Sequence, residues 1–252
     1  MTESLVFDVG NTSLKFAWFK DAKAVTIGAL PWETAEDWRR PVECLGMGPN
    51  AGDMCVVAGS HPDRRDLLVL WLREQGWTPC VLDSYKQLPI TVALDAPEKV
   101  GIDRLLNAVA ANQRRPPGTA AAIVDAGSAV TVDLVDRTGA FRGGAILPGL
   151  RLMAAALHEH TALLPFVEVD RLTDPPGRST VEAIQVGISQ SAIGGIERII
   201  AQYRKQHAGE LQVFVTGGDG EILNVGSPLG ELWPEMTLEG IRLSGEAYLS
   251  HA

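Results

Sequence analysis

Cysteine is scarce in this chain of 252 residues. Cys44, Cys55 and Cys80 form an odd set without the spacing of a metal site or the pairing of a disulfide framework. A reduced, cytoplasmic chain is the simplest expectation. Long apolar runs are lacking as well: none reaches the ~18 residues that a membrane-spanning helix needs. The first apolar run ends at Asp8 and no basic stretch precedes it, so a signal peptide is not expected. Positive charge is in deficit, with 22 Lys and Arg against 31 Asp and Glu and a net charge of −9. That balance argues against nucleic acid as a partner, because a phosphate backbone needs clustered cations. A small anionic ligand needs only a few placed donors and stays open.

Several catalytic signatures are missing too. No Gly-x-x-x-x-Gly-Lys-Ser/Thr loop occurs, which disfavours a P-loop kinase, and no Gly-x-Gly-x-x-Gly, which disfavours a dinucleotide enzyme. There is no Gly-x-Ser-x-Gly elbow. His158 and His160, two apart on a helix, would face different ways and share no metal. The six Trp residues read as core or interface residues.

What is present is an ordinary globular composition, 46% hydrophobic and 21% charged, and one motif stated twice. Leu5 to Thr12 is an apolar strand running into Asp8-Val9-Gly10-Asn11-Thr12. Ala122 to Ser128 is another, running into Asp125-Ala126-Gly127-Ser128. Two copies of one unit, facing each other, would make a nucleotide cleft. Further pairs support the duplication. Ser13 to Phe19 and Val130 to Val135 read as hairpin partners of the two strands. Met54 to Ala58 and Leu211 to Thr216 are strands closed by Gly59-Ser60 and Gly217-Gly218. Helices are predicted over 63–75, 103–112, 150–158 and 180–202. The last is interrupted by Gly187, Gly194 and Gly195, which close helix packing would explain. Phe141 to Leu147 reads as a strand, 31–52 as an irregular connection with one short helix, and 165–178 as a loop. Arg114-Arg115-Pro116-Pro117-Gly118 marks the expected boundary, giving lobes 1–115 and 119–252.

Each motif has a chemical and a bland reading. The Asp8 turn can cradle phosphate through backbone amides near Gly10, with Asn11 and Thr12 as donors and Lys15 as a counter-charge. Asp8 can reach magnesium. The bland reading is a plain hairpin turn; the recurrence at Asp125 favours the chemical one. Ser128 can donate to a phosphate oxygen, and Asp125 can ligate a hard cation. Thr131 and Asp133 fit either a direct role or the polar face of a half-buried strand. In Gly101-Ile102-Asp103-Arg104, Asp103 is either a helix N-terminal residue or a general base beside a carboxylate-binding guanidinium. Gly143 to Gly149 and Gly217 to Gly220 permit close approach of a backbone or ligand.

In that order, with Thr161 to Pro165 and Ser179 to Ile184, these segments resemble the type III pantothenate kinases across nearly the whole chain. The resemblance implies an α/β, duplicated actin-like (ribonuclease H-like) two-lobed kinase fold. It implies ATP-dependent phosphorylation of pantothenate to 4'-phosphopantothenate, the first step toward coenzyme A. It gives ATP phosphates to Asp8, Val9, Gly10, Asn11, Thr12, Ser13, Leu14 and Lys15, and an ATP contact to Ser128. It assigns pantothenate to Gly101, Ile102, Asp103, Arg104 and Thr180, with Asp103 as base and Arg104 on the substrate carboxylate. Asp125 resembles the family's monovalent-cation ligand. Family members use magnesium with potassium or ammonium and are homodimers. The family's usual Thr is Ser128 here, and its usual Tyr before the Gly-x-Asp-Arg segment is Leu94. A kinase or phosphohydrolase of the same fold acting on another small molecule, and a non-catalytic regulatory relative, remain the alternatives.

Overall fold

The computed structural model describes residues 3–31, 53–207, 210–226 and 228–250. Two compact units divide the chain. The first comprises Met1–Ile90, Asp95–Ala110 and Met236–Ala252; the second comprises Thr91–Leu94 and Ala111–Glu235.

In the first unit, β1 (Glu3–Val9), β2 (Ser13–Lys20), β3 (Lys23–Pro31), β4 (Met54–Ala58) and β5 (Cys80–Leu82) form one sheet of order β3-β2-β1-β4-β5. β1 runs antiparallel to β2 and parallel to β4. Strand alternation sends Leu5, Phe7 and Val9 to one face. There they pack with Leu14, Phe16, Cys55 and Val57 and with Leu68, Trp71 and Leu72 of α1 (Pro62–Glu74). α1 ends where Gly76 takes φ 86°, a left-handed conformation that glycine adopts without a Cβ clash. The Gly76 and Trp77 amides then cap the carbonyls of Arg73 and Leu72 at 3.0 Å each, and Trp77 joins the same core.

The second sheet repeats the first. β6 (Ala120–Ala126), β7 (Ala129–Val135), β8 (Phe141–Pro148), β9 (Leu211–Thr216) and β10 (Glu231–Leu232) have the order β8-β7-β6-β9-β10. The directions match too: β6 is antiparallel to β7 and parallel to β9. Ala122, Val124, Ala126, Val130 and Val132 form the core face against α4 (Thr180–Gln206), which supplies Ile184, Ile188, Ile196 and Ile200. α3 (Leu150–Glu159) adds Leu150 and Ala154. α2 (Ile102–Arg114) runs between β5 and β6, and the short α5 (Gly220–Gly226) between β9 and β10.

Three differences from the sequence expectations stand out. β3 is not among the sequence expectations, because its large apolar residues Val25 and Ile27 lie on the exposed face of an edge strand rather than marking a buried one. The glycines of α4 do not all serve packing: a Cβ at Gly195 would meet Leu147, but one at Gly187 or Gly194 would meet open space. Finally, α6 (Met236–Leu249) packs with the first sheet, although it lies in the 119–252 half of the sequence. A Cβ at Gly240 would lie 2.0 Å from the Leu106 carbonyl oxygen, and one at Gly245 would lie 2.5 Å from Val56. These glycines let α6 seat on α2 and β4, and Thr237 Oγ1 donates to Asn107 Oδ1 at 2.8 Å in the buried contact. Arg242, 5% exposed, donates to Glu239 and Glu246 at 2.6 Å and lies over the Phe19 ring. The short helix expected within 31–52 falls outside the described residues.

Candidate active site

Asp8 stands at the C-terminal end of β1, 9% exposed, on the face opposite Leu5, Phe7 and Val9. The antiparallel register sets it directly across from Lys15. Gly10 closes the connection by donating to the Ser13 carbonyl at 3.0 Å, which leaves Asn11 and Thr12 exposed as a two-residue tip. Val9 and Leu14 have their side chains in the core, so only their backbone is available to a ligand. Gly59, with φ 148°, brings the exit of β4 against β1: a Cβ there would lie 2.3 Å from the Val9 carbonyl oxygen. α1 therefore starts beside the turn, and the Arg64 guanidinium donates to the Asn11 carbonyl.

The segment 101–104 opens α2. Asp103 Oδ1 accepts the Arg104 amide at 2.9 Å. A Cβ on Gly101 would lie 2.5 Å from that same oxygen, so the glycine leaves the space into which the Asp103 carboxylate folds. Gly101 and Ile102 also line a cavity of about 420 Å³ within this unit, together with Ser60, Arg65, Tyr85 and Glu98.

In the second unit, Asp125 lies at the end of β6, partly exposed, directly across from Thr131. Ser128 is exposed at the tip of the turn, where Gly127 donates to the Ala129 carbonyl at 3.0 Å. A Cβ on Gly149 would fall 2.4 Å from the Gly127 oxygen and 2.5 Å from the Ser128 oxygen, so the N-terminus of α3 is a backbone wall for this turn. Gly217 repeats Gly59: its φ is 91°, and a Cβ would lie 2.3 Å from the Ala126 carbonyl oxygen. Asp219, just beyond, donates its amide to Ala126 at 2.9 Å, and burial pushes its carboxyl above the usual range. Thr131 Oγ1 donates to Asp133 Oδ2 at 3.3 Å; Asp133 is buried, with Gly144 leaving room for its carboxylate. Thr180 is exposed at the first position of α4, after the capping residue Ser179.

Among the described residues no group of three or more His, Cys, Asp and Glu is arranged to hold a metal ion. The donor sets present suit ions that arrive with substrate: magnesium bound to nucleotide phosphates usually takes only one or two protein carboxylates. Asp8 beside its exposed turn offers one carboxylate, and Asp125 at the end of β6 offers another.

The family profile of the type III pantothenate kinases matches residues 4–202. The chain belongs to that family. A type III pantothenate kinase from Persephonella marina is 32% identical over 94% of this chain and 96% of the relative. Another, from Dehalococcoides mccartyi, is 30% identical over 96% of this chain and 97% of the relative. Among solved structures, a conserved Baf family protein from Campylobacter jejuni aligns with a TM-score of 0.61 at 18% identity, covering 98% and 99% of the two chains. MreB5 of Spiroplasma citri, bound to ADP, aligns with a TM-score of 0.53 at 9% identity, covering 96% of each. At those identities the likeness is one of fold: an actin-like α/β kinase fold built from two equivalent sheets.

Within this kinase, the first unit brings together Asp8, Lys15 and the Gly10–Thr12 tip, and separately Gly101 with Asp103. The second brings Asp125 to Thr131, and Ser128 to the Gly149 wall. Arg64 was not legible in the sequence, because its partner Asn11 lies 53 residues earlier and no pattern joins them. Gly149 had a signal in the glycine-rich Gly143–Gly149 run, although its contact did not.

Proposed function

We propose that this type III pantothenate kinase phosphorylates pantothenate from ATP with Asp103 as the general base. The observation that carries the assignment is the carboxylate of Asp103, folded into the space left by Gly101 at the start of α2. A base must come within hydrogen-bond reach of the hydroxyl that it deprotonates, and a carboxylate fixed at a helix start needs no reordering to do so. Arg104, next in sequence, is the clamp for the substrate carboxylate, since a guanidinium binds it in a bidentate grip. Thr180 contributes a second substrate contact.

The ATP phosphates are received by the turn from Asp8 to Lys15, with amides near Gly10 as donors and Lys15 spreading the transferred charge. Ser128 adds a hydroxyl. Magnesium, held by Asp8 directly or through water, would neutralise phosphate charge. Asp125 takes a monovalent cation, potassium or ammonium; the supporting observation is that it stands partly exposed at the end of β6, beside the Ser128 turn. The enzyme works in the cytoplasm, a reading supported by Cys55 and Cys80 being free thiols. It acts as a homodimer, to which the exposed Ile146, Leu152 and Leu163 of the second unit lend apolar surface. Sedimentation at micromolar protein tests that state, and a monomer would overturn it.

The deciding experiment is ADP release with ATP and pantothenate, comparing the wild type with Asp103→Asn. Turnover should fall by about 10²–10⁴-fold while ATP still binds. Near-full turnover of the variant would remove Asp103 from its role. Phosphate release without pantothenate would point instead to a hydrolase.

A further inference from the structure

We propose that Arg64 is a positioning residue that aims the phosphate-receiving amide of the Asp8 turn. The inference rests on reading Gly10–Thr12 as the phosphate turn. Arg64 lies in the first turn of α1, and its guanidinium donates to the backbone carbonyl of Asn11. The Asn11–Thr12 peptide is the middle link of the tip that Gly10 and Ser13 close. A peptide unit is planar and trans, so its carbonyl and the following N–H point in opposite directions. Holding the Asn11 oxygen toward α1 therefore turns the Thr12 N–H away from α1. Asn11 and Thr12 are both exposed, so the outward N–H is open to an anionic ligand.

The arrangement depends on the path of the chain after β4. Gly59 lets that segment press against Val9, and this brings the start of α1, and Arg64 with it, to the tip. The second unit meets the same need differently. There the carbonyls of Gly127 and Ser128 lie against the backbone at Gly149, a contact that no side chain makes. One turn is held by a guanidinium and the other by a glycine wall. The ligand chemistry implied for Arg64 is a polyphosphate oxygen received by an amide that Arg64 orients, with the guanidinium itself spent on the protein carbonyl.

The test measures Kd for ATP by calorimetry, together with KM for ATP, KM for pantothenate and kcat, in Arg64→Ala, Arg64→Lys and Lys15→Ala. Arg64→Ala should raise Kd and KM for ATP about tenfold, the scale of one charge-assisted hydrogen bond. KM for pantothenate and kcat should stay within about twofold, and Arg64→Lys, which keeps a donor, should recover part of the loss. In the wild type, the Thr12 amide should gain hydrogen-exchange protection on adding ATP, and lose that gain in Arg64→Ala. Unchanged ATP affinity in Arg64→Ala, with a loss in Lys15→Ala, overturns the proposal and leaves the phosphate turn standing. Unchanged affinity in both variants overturns the phosphate turn itself. A fall in melting temperature with kcat and both KM values worsening together assigns Arg64 a merely structural role and also overturns the proposal.

Discussion

The turn after β1 and the turn after β6 hold equivalent places in their sheets and differ in their chemistry. Each follows a central strand ending in Asp-x-Gly, and each is pressed by a glycine of positive φ, Gly59 or Gly217, at the same 2.3 Å from the strand's last carbonyl. What faces the aspartate differs: Lys15 across from Asp8, Thr131 across from Asp125. The first connection is also one residue longer, since Val9 pairs with Leu14 whereas Ala126 pairs with Val130. A carboxylate opposite a lysine sits in a site that can neutralise a phosphate. For the carboxylate opposite a hydroxyl, the role proposed above is to hold a cation. The two sheets share their strand order, while the connections and the side chains at the strand ends differ.

The comparison breaks most readily at its shared element. Gly59→Ala and Gly217→Ala should each cost about 2–4 kcal/mol, because an added methyl meets backbone in both and the positive φ adds strain. Chemical denaturation measures both, and a loss in one variant alone would show that the two contacts are not equivalent. The chemical difference comes next. Lys15→Ala should raise KM for ATP about 10–100-fold and leave cation activation intact. Asp125→Asn should remove potassium activation and change KM for ATP less. The reverse pattern in steady-state kinetics would exchange the two roles.

The outer hairpins sharpen the contrast at smaller scale. β7 and β8 are joined through Asp136, whose carboxylate accepts the Thr138 hydroxyl at 2.6 Å and the Thr138 and Ala140 amides at 2.9 and 3.1 Å. Burial tends to raise its carboxyl, but these hydrogen bonds and nearby Arg142 outweigh it and hold the group below the usual range. A lowered native value means that the unfolded chain binds the proton more readily, so the stabilisation is full above the ordinary carboxylate range. It drains away as pH falls through the native value. Asp136→Asn should therefore cost about 1 kcal/mol at pH 7 and progressively less on acidification, as thermal melts against pH would record. β2 and β3 are joined instead by Asp21 and Ala22 at φ 46° and 62°, with no glycine. Ala22→Gly should stabilise the first unit by about 0.5 kcal/mol, the smallest effect here, since glycine relieves the left-handed strain at some entropic cost. A destabilisation in the same melts would show that the strain is absent.

Central strands were legible, because β1, β4, β6 and β9 are mostly apolar runs, largely buried on both faces, that lead into glycines. Edges were not: β3 exposes Val25 and Ile27, and β10 has two residues. The 220–250 region carries no clear helix period and was expected in the 119–252 lobe, yet α6 belongs to the first unit, as the contacts of Gly240 and Gly245 require. In the site, the Asp-x-Gly repeats and the Gly-x-Asp-Arg segment were legible as local patterns. The space that Gly101 leaves for Asp103 was not, since a gap left by a missing side chain has no sequence signal of its own.

Local order along the chain determined the doubled strand-turn units, the motifs that they carry and, through the ordered set, the family. Tertiary structure alone decided that the last helix returns to the first sheet, that Arg64 reaches Asn11 across 53 residues, and that Gly149 walls the second turn. The reason is physical. Hydrogen bonding and side-chain periodicity within an element act over a few residues and leave a repeating trace in sequence. Contacts between distant segments depend on where separate elements pack, and a single arginine or a missing Cβ carries no period to reveal it.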